Sequence, residues 1–428
     1  MSSADISTPD STASHPPAPK RSVVMLVLVL GTFTAVGPLS TDMYLPAFPQ
    51  IAQDLGTQQT QVQLTLTAAM VGLALGQLLI GPLSDAVGRR KPMLIGSVCF
   101  TLATIACIFV TNVETFIALR FAQGLAGAAG AVVARAIVRD HFEGDNVARF
   151  FSRLVLVSML APMLGPILGG QLLHIGPWQL GFVVLTGVSL LGMTLAYFLL
   201  PESLPEHKRQ PVSGVALRAN LRHLLSDLRF IGPMLTLSLA FGAMFTYIST
   251  FSFVAQSQLD ASAQQYSVMF GSIAVGMLLG TQINGFLVGR VHVTIRLAIG
   301  MTLAALAVTT LGVIALSNVT SLMAITVPLL TMMIGAGMIF PNCTSLALGS
   351  QSPRIAGTGS ALLGTIQFAI GGVVPTAATW TATGKASLLS MTVVMACALT
   401  AAVLAYVLTS RLAARRPIPV PAMAVADS

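Results

Sequence analysis

Charge is what this chain has least of. Asp, Glu, Lys and Arg make up 8% of the 428 residues against 54% hydrophobic residues, and the mean hydropathy is +0.83. A soluble protein of this length cannot cover so much apolar surface with so few charges, so lipid is the solvent for most of the chain. Cysteine is nearly as scarce. Cys99, Cys107, Cys343 and Cys397 stand apart, without a CxxC or His-rich spacing. That excludes a zinc ribbon or a disulfide framework, and the expectation is buried, inert thiols with no metal. None of the 6 histidines falls in the middle of an apolar run, which argues against a histidine proton relay. No GxxxxGK[ST] run occurs, so no ATP site is visible, and no hydrolase or kinase constellation is present. The expectation is a non-enzyme without a cofactor. No basic segment precedes an early apolar run, so a cleaved signal peptide is not expected either.

What is there is a succession of long apolar segments, each near the roughly 20 residues a helix needs to cross a bilayer. Twelve can be read, at 22–47, 61–83, 92–111, 115–139, 150–174 and 178–200, then at 229–254, 265–289, 295–316, 320–348, 356–379 and 385–409. The reading is an all-α integral membrane protein of two six-helix bundles, at 22–200 and 229–410, with tails at 1–21 and 411–428. The first tail is rich in Ser, Pro and Ala and reads as disordered. Between the bundles, 201–228 is polar and then places Leu217, Leu221, Leu224, Leu225 and Leu228 at helical spacing. That pattern suits an amphipathic helix on the membrane surface, with a plain flexible linker as the competing reading.

The net charge of +8 is a matter of placement, not of a nucleic-acid partner. Of 22 Lys and Arg, all but Arg120, Arg135 and Lys385 lie in the tails or in alternate connections. By the positive-inside rule both termini are then cytosolic. Trp178 and Trp380 fall at outer ends of segments and read as interfacial anchors.

The stretch Gly81–Leu94, GPLSDAVGRRKPML, reads as a tight hairpin holding Gly81, Asp85, Gly88, Arg89 and Arg90 at one membrane face. Gly88 suits a turn needing positive φ. GFLVGRVHVTIR at 285–296 is a faint echo at the matching point of the second bundle, as a duplicated six-helix unit would give. Asp42 is the one acid inside an apolar segment, roughly five residues from its outer end by count. Such a residue is costly in lipid and usually marks an ion or proton path, the alternative being an ordinary polar helix end. Arg120, at similar depth in the fourth segment, is its natural partner, unless backbone carbonyls hold it or it snorkels to the headgroups. In the fifth segment, APMLGPILGG puts Ala161, Gly165 and Gly169 four apart on a smooth face that Pro162 and Pro166 bend, with Gly170 beside it.

These motifs carry a resemblance. GxLxDxxGRR between two spans resembles the loop between helices 2 and 3 of the major facilitator superfamily of secondary transporters. RFAQGLAGAAGAVVARAIVRDHF at 120–142 resembles its helix-4 motif through Arg120, Gln123, Gly124 and Arg139, and APMLGPILGG its antiporter motif. STDMYLPAFPQIA at 40–52, QLTLTAAMVGLALGQLLIGPLSDAVGRRKP at 63–92 and RIAGTGSALLGTIQF at 354–368 are similar to the Bcr/CflA family of bicyclomycin and chloramphenicol resistance exporters. The chain departs from some drug:proton antiporters in having Thr34 and Pro38 where a second acid can stand.

The resemblance implies a proton-driven antiporter exporting small amphipathic compounds, with a proton-coupled nutrient importer as the alternative. It implies proton coupling by Asp42 and Arg120, gating by the hairpin with Asp85 meeting the start of the eleventh helix, and close packing of the fifth helix against the second bundle. It further implies cavity-lining roles for Tyr44, Gln123, Phe241, Phe245, Tyr247, Asn342 and Gln367. The expected partners are protons, a small-molecule cargo and the lipid of a bacterial inner membrane, with the monomer as the working unit.

Overall fold

In the computed structural model of the protein, residues 20–141, 145–209, 214–317, 321–352, 355–381 and 385–415 are described. The outer parts of the predicted tails and Arg354 lie outside them. The first half comprises α1 (Lys20–Asp42), a short α2 (Phe48–Asp54), α3 (Gln59–Val87), α4 (Arg90–Ile108), α5 (Val113–His141), α6 (Asp145–Ile175) and α7 (Gln179–Leu199). A linker helix, α8 (Gly214–Leu224), leads to α9 (Leu228–Phe253), α10 (Ala263–Leu287), α11 (Val293–Leu316), α12 (Leu322–Gly349), α13 (Ala356–Val373) and α14 (Leu388–Arg415). Ten of these helices are long and apolar enough to cross a membrane; α1 and α6 are of similar length. The chain enters α1 and leaves α14 on one face, called here the terminal face; the other is the far face.

Helix contacts are made through small residues, as they must be when lipid offers no hydrophobic drive for helices to associate. Along α3, Gly72 and Gly76 lie so near α5 that a Cβ on either would come within 2.5 Å of the Phe121 or Leu125 carbonyl. Gly124 of α5 answers them, 2.0 Å by the same measure from the Ala69 carbonyl. In the second half Gly276 and Gly280 of α10 approach α12 in the same way, through the Leu330 and Ile334 carbonyls. The repeated Gly-x-x-x-Gly contact between corresponding helices supports the duplication that the echo motif suggested.

The structure redraws several sequence boundaries. The first predicted segment is not one helix to residue 47: α1 ends at Asp42, and a 3-10 turn (Leu45–Ala47) and α2 follow. Pro46 and Pro49 supply no backbone donor, and each disfavours α geometry in the residue before it. The hairpin is likewise mostly helical. Helix α3 runs through Asp85 to Val87, leaving Gly88, at φ +97°, and Arg89 as the turn.

Trp178 is not an interfacial anchor. It is 2% exposed, packs on Phe116 and Phe182, and donates from Nε1 to Asp54 Oδ2 at 3.0 Å. Trp380, 79% exposed, does sit at a helix end. Two of the four cysteines, Cys99 and Cys397, are exposed on outer faces, where lipid rather than protein covers them; only Cys107 and Cys343 are buried as expected. The linker leucines do not all face a membrane surface. Leu224 is fully buried against the start of α13, beside Gly359 and Phe230, while Leu225 is exposed.

Small-residue packing gives a direct stability test. Gly124→Ala should destabilise the protein by about 1–3 kcal/mol, as overpacking does, because its Cβ meets a backbone carbonyl. Gly81→Ala should not, since its Cβ would touch only Val132 Cγ1 at 4.0 Å. Melting curves of the detergent-solubilised variants check this; equal melting of both variants would show that the α3–α5 contact yields freely.

Candidate functional site

The break in α1 creates the site. A helix end leaves its last carbonyls without intrahelical donors, and in lipid no water is at hand to satisfy them. Thr41 Oγ1 donates back to the Pro38 carbonyl at 2.9 Å and lies 3.0 Å from Asp42 Oδ1. The Ser40 carbonyl is met by another helix: Arg120 Nη2 donates to it at 2.9 Å. Arg120 Nη1 donates to Gln123 Oε1, and the guanidinium lies over the Tyr44 ring, 4.4 Å from its centroid. Gln123 passes the network to Thr104 of α4 at 2.7 Å.

Arg120 is fully buried, yet it makes no ion pair with Asp42, which is itself 4% exposed. Among the described residues the ion pairs are Arg89 with Asp85 and Asp140, and Arg209 with Glu206. Arg120 therefore caps the C-terminal end of α1 two residues before Asp42, where a cation also complements the helix dipole. A carbonyl holds the arginine, which was one of the readings left open by the sequence.

Helix α6 shapes the other side of Asp42. A Cβ on Gly165 would lie 3.2 Å from Asp42 Cβ, and one on Gly169 would fall 1.9 Å from the Met43 carbonyl. The smooth face of the motif thus packs on the broken end of α1, within its own half. The motif also reaches across to α10 of the second half: Gly170 lies against Ser267, and a Cβ on Gly271 would lie 2.8 Å from Ile167 Cδ1. Ala161 and Pro166 are buried beside this face, and Pro162 turns toward the cavity.

That cavity, of about 470 Å³, lies between the halves. Asp42, Thr34, Pro38 and Thr41 line it from α1, with Phe241, Phe245 and Tyr247 from α9 and Met277, Met333 and Phe368 from neighbouring helices. Its lining includes one acid, Asp42, and one base, Arg135 of α5. A second cavity of about 430 Å³ adjoins it toward the terminal face, sharing Gln77 and Arg135 and bordered by Leu217 and Asn220 of the linker helix. Toward the far face the halves are joined instead. Ser252 Oγ donates to the Leu45 carbonyl at 2.6 Å, Gln256 Nε2 to the Pro46 carbonyl at 3.0 Å, and Thr67 Oγ1 to the Gly372 carbonyl at 2.8 Å.

Of the lining residues expected, Phe241, Phe245 and Tyr247 are in place. Tyr44 and Gln123 lie behind the wall, in the Arg120 network. Asn342 is buried elsewhere, bonded to Asn284 Oδ1 at 2.7 Å and itself sharing that acceptor with Arg296, and Gln367 is not part of the lining. Both corrections have one cause: the phase of a nearly all-apolar helix cannot be read from apolarity. Arg135 and Gln77 were missed as lining groups. Arg135 carried a signal, a cation inside a span, that had not been turned into a position.

The hairpin forms a latch at the terminal face. Arg89 donates from Nη1 to Asp85 at 2.5 Å and to Ser84 at 2.8 Å, and from Nε to Asp140 at 3.0 Å, so it ties the turn to the end of α5. Glu202, after α7, accepts from the backbone N–H of Arg89 at 2.8 Å and Arg90 at 3.3 Å, filling the N-terminal end of α4. Its carboxylate sits where a Gly88 side chain would be, 2.4 Å from the Cβ position, a second reason for glycine there. Asp85 lines the terminal-face cavity opposite Gly357 and Thr358 of α13, and no hydrogen bond joins it to that helix among the described residues.

Burial acts to raise the Glu202 carboxyl, but the N–H groups of Arg89, Leu204 and Arg90 and the charge of Arg209 outweigh it and hold the group below its ordinary value of 4.5. With the folded value depressed, its contribution is complete above about that pH and is lost as pH falls through the folded value. Glu202→Gln should therefore loosen the hairpin at pH 7, read as faster hydrogen exchange of the Arg89 and Arg90 amides than in wild type. Equal protection would mean that the turn is held without the carboxylate.

Comparison with known proteins agrees with this architecture. Residues 28–376 match the Major Facilitator Superfamily. The chain is 38% identical over 362 residues to YdgK of Bacillus subtilis, an uncharacterized MFS-type transporter, covering 84% of this chain and 89% of that one. It is 31% identical over 356 residues to a bicyclomycin resistance protein homolog of Haemophilus influenzae, covering 83% and 89%. In structure it is similar to a D-xylose-proton symporter, with a TM-score of 0.73 at 16% identity over 90% of this chain and 97% of that one.

Proposed function

Because this chain belongs to the Major Facilitator Superfamily, and within it to the bicyclomycin and chloramphenicol resistance type of transporter, we propose that it is a proton-driven antiporter. It exports small amphipathic compounds by alternating access. In this reading α1 and α6 join the ten other long helices as twelve membrane crossings, both termini are cytosolic, and the monomer works in a bacterial inner membrane. The observation that carries it is the placing of Asp42. One carboxyl lines an otherwise almost wholly apolar cavity between two halves, at the end of a helix capped by a buried arginine.

In this scheme cargo and proton compete for Asp42. Ionised, the carboxylate is a hydrogen-bond acceptor for cargo entering from the terminal face. Protonated from the far side, it loses its charge and with it the strong charge-assisted hydrogen bond, and the cargo leaves. The far-face hydrogen bonds, and a contact of Asp85 with the start of α13, would be made and broken in turn as the halves rock. For a neutral cargo exchanged for one proton, the membrane potential adds about 2.3 kcal/mol per 100 mV to the drive of the pH gradient. A packed glycine face beside Asp42 closes the space through which an unloaded site could leak protons.

Vesicles with an imposed pH gradient decide the direction. Chloramphenicol should move opposite to proton flow; movement along with protons would make the protein a symporter and end the export reading. Asp42→Asn should abolish coupled transport while the protein still inserts. Arg120→Lys should be strongly impaired, because an ammonium lacks the planar fork that meets the Ser40 carbonyl and Gln123 together. Gly165→Leu should uncouple or block exchange. Wild-type rates from the asparagine variant would remove Asp42 from the mechanism.

A further inference from the structure

The outer surface of the first half carries two grooves that meet. The larger, about 550 Å³, runs between α4 and α7 and is mainly apolar, with Leu94, Val98 and Cys99 on one wall and Met193 and Phe198 on the other. The smaller, about 420 Å³, has Arg90 and His141 in its lining with the end of α7, and Phe198 belongs to both. Helix α4 begins at the terminal face and α7 ends there, so Phe198 and the smaller groove mark the terminal-face end of the larger one. Leu94 and Cys99 are five residues apart, as are Met193 and Phe198, so the larger groove runs about 7.5 Å along the helices, away from that face. The two together form one track, with bases at the membrane surface and an apolar slot beneath them. Ile95 and Phe198 on its walls are 64% and 75% exposed, and at this depth what they are exposed to is lipid.

At the head of the track the nearby acids are already engaged. Arg89 takes Asp85 and Asp140, and Arg209 takes Glu206. Glu202 accepts from the backbone N–H groups of Arg89 and Arg90. Arg90 and Lys91 make no ion pair among the described residues. Arg90 is nonetheless held in place: Nη2 donates to the Tyr197 carbonyl at 2.7 Å, and the guanidinium lies 5.8 Å from the centroid of the Tyr197 ring. That leaves Nη1, at the groove, without a hydrogen bond to a described residue. Lys91 beside it is exposed. A fixed guanidinium and a mobile ammonium at one spot suit a phosphate group.

We propose that this track binds an anionic phospholipid of the terminal-face leaflet, with its phosphate against Arg90 and Lys91 and one acyl chain in the slot between α4 and α7. A free phosphate would fill only the head of the track and leave the slot unused, whereas a chain laid in the slot gains from its apolar walls. A zwitterionic headgroup brings its own cation to two bases, whereas an anionic one brings net negative charge to them. Held there, the lipid joins α4 to α7 beside the hairpin that Arg89 ties to α5. The site lies outside both cavities between the halves, so it stands whatever the cargo is.

Two native cysteines supply the probe and its control: Cys99 lies in the slot, and Cys397, also exposed, lies on α14 away from it. The purified full-length protein in detergent is titrated with dioleoyl phosphatidylglycerol or dioleoyl phosphatidylcholine, and N-ethylmaleimide labelling of each cysteine is followed by mass spectrometry. Phosphatidylglycerol should protect Cys99 at about one tenth of the concentration that phosphatidylcholine requires, as two bases at a leaflet surface allow. Cys397 should be labelled alike in both lipids, and inorganic phosphate should protect neither cysteine. Arg90→Gln combined with Lys91→Gln should bring phosphatidylglycerol to the level of phosphatidylcholine. Lys91→Gln alone, at an exposed position, should remove part of the preference with an unchanged melting temperature, and the comparison of the two lipids on wild type needs no variant. Equal protection of Cys99 by the two lipids, or a headgroup preference shown equally by Cys397, would overturn the proposal. So would protection of Cys99 by inorganic phosphate, or labelling of Cys99 that slows as protein concentration rises, which would assign the slot to a second copy of the chain.

Discussion

The structure depends on one interrupted helix. Helix α1 stops at Asp42 while still inside the protein, and the chain then crosses its far end through a 3-10 turn and α2. In lipid such a break is tolerated only where other groups take over the freed carbonyls and charge. Here Arg120 takes the Ser40 carbonyl, Thr41 serves both its own helix and Asp42, and α6 brings glycines against the broken end where any side chain would collide. A carboxylate at a helix C-terminus is disfavoured by the dipole, so the buried guanidinium offsets two costs at once. Its Tyr44 contact and its link to α4 through Gln123 and Thr104 fix it in place. The polar network is small, buried and shared among α1, α4 and α5, so a change at any member is felt by the others.

The same geometry explains how one protonation could be felt across the molecule. Helix α6 touches Asp42 with Gly165 and α10 with Gly170, so it lies between the two halves at the level of the site. At the far face, hydrogen bonds from Ser252 and Gln256 reach the very turn that follows Asp42. A shift of that turn therefore alters the far-face seal directly. At the terminal face, Arg89 and Glu202 bind α3, α4, α5 and the segment after α7 into one body, which can move as a unit against α13. Transport by rocking needs this combination of rigid halves and a sensitive contact between them.

Much of this was legible in the sequence, and what was not has physical reasons. The membrane-spanning character and the two halves followed from composition and charge placement. Asp42 stood out because it is the only acid in an apolar segment, and Arg120 because it lies at the same depth. The end of α1 at Asp42 was harder to see, since the prolines responsible come several residues later and the intervening Met43, Tyr44 and Leu45 are as apolar as any helix interior. Helix phase was hidden for the same reason, so Asn342 and Gln367 were expected at a wall they do not form and Arg135 was not. Trp178 looked like an interfacial anchor by position alone; only tertiary structure brings Asp54 to its indole. Glu202 reaches the hairpin from 113 residues away in sequence, a contact no local pattern announces.

If Asp42 holds the coupling proton and cargo competes for it, then binding alone must displace a proton, without any membrane or gradient. The direct measurement is the pH change of a weakly buffered solution of the detergent-solubilised protein when chloramphenicol is added. Wild type should acidify the solution saturably, with up to one proton released per protein, and Asp42→Asn should release none. Saturable chloramphenicol binding with no proton release by wild type, or with equal release by Asp42→Asn, would contradict the assignment of the coupling proton to this carboxylate.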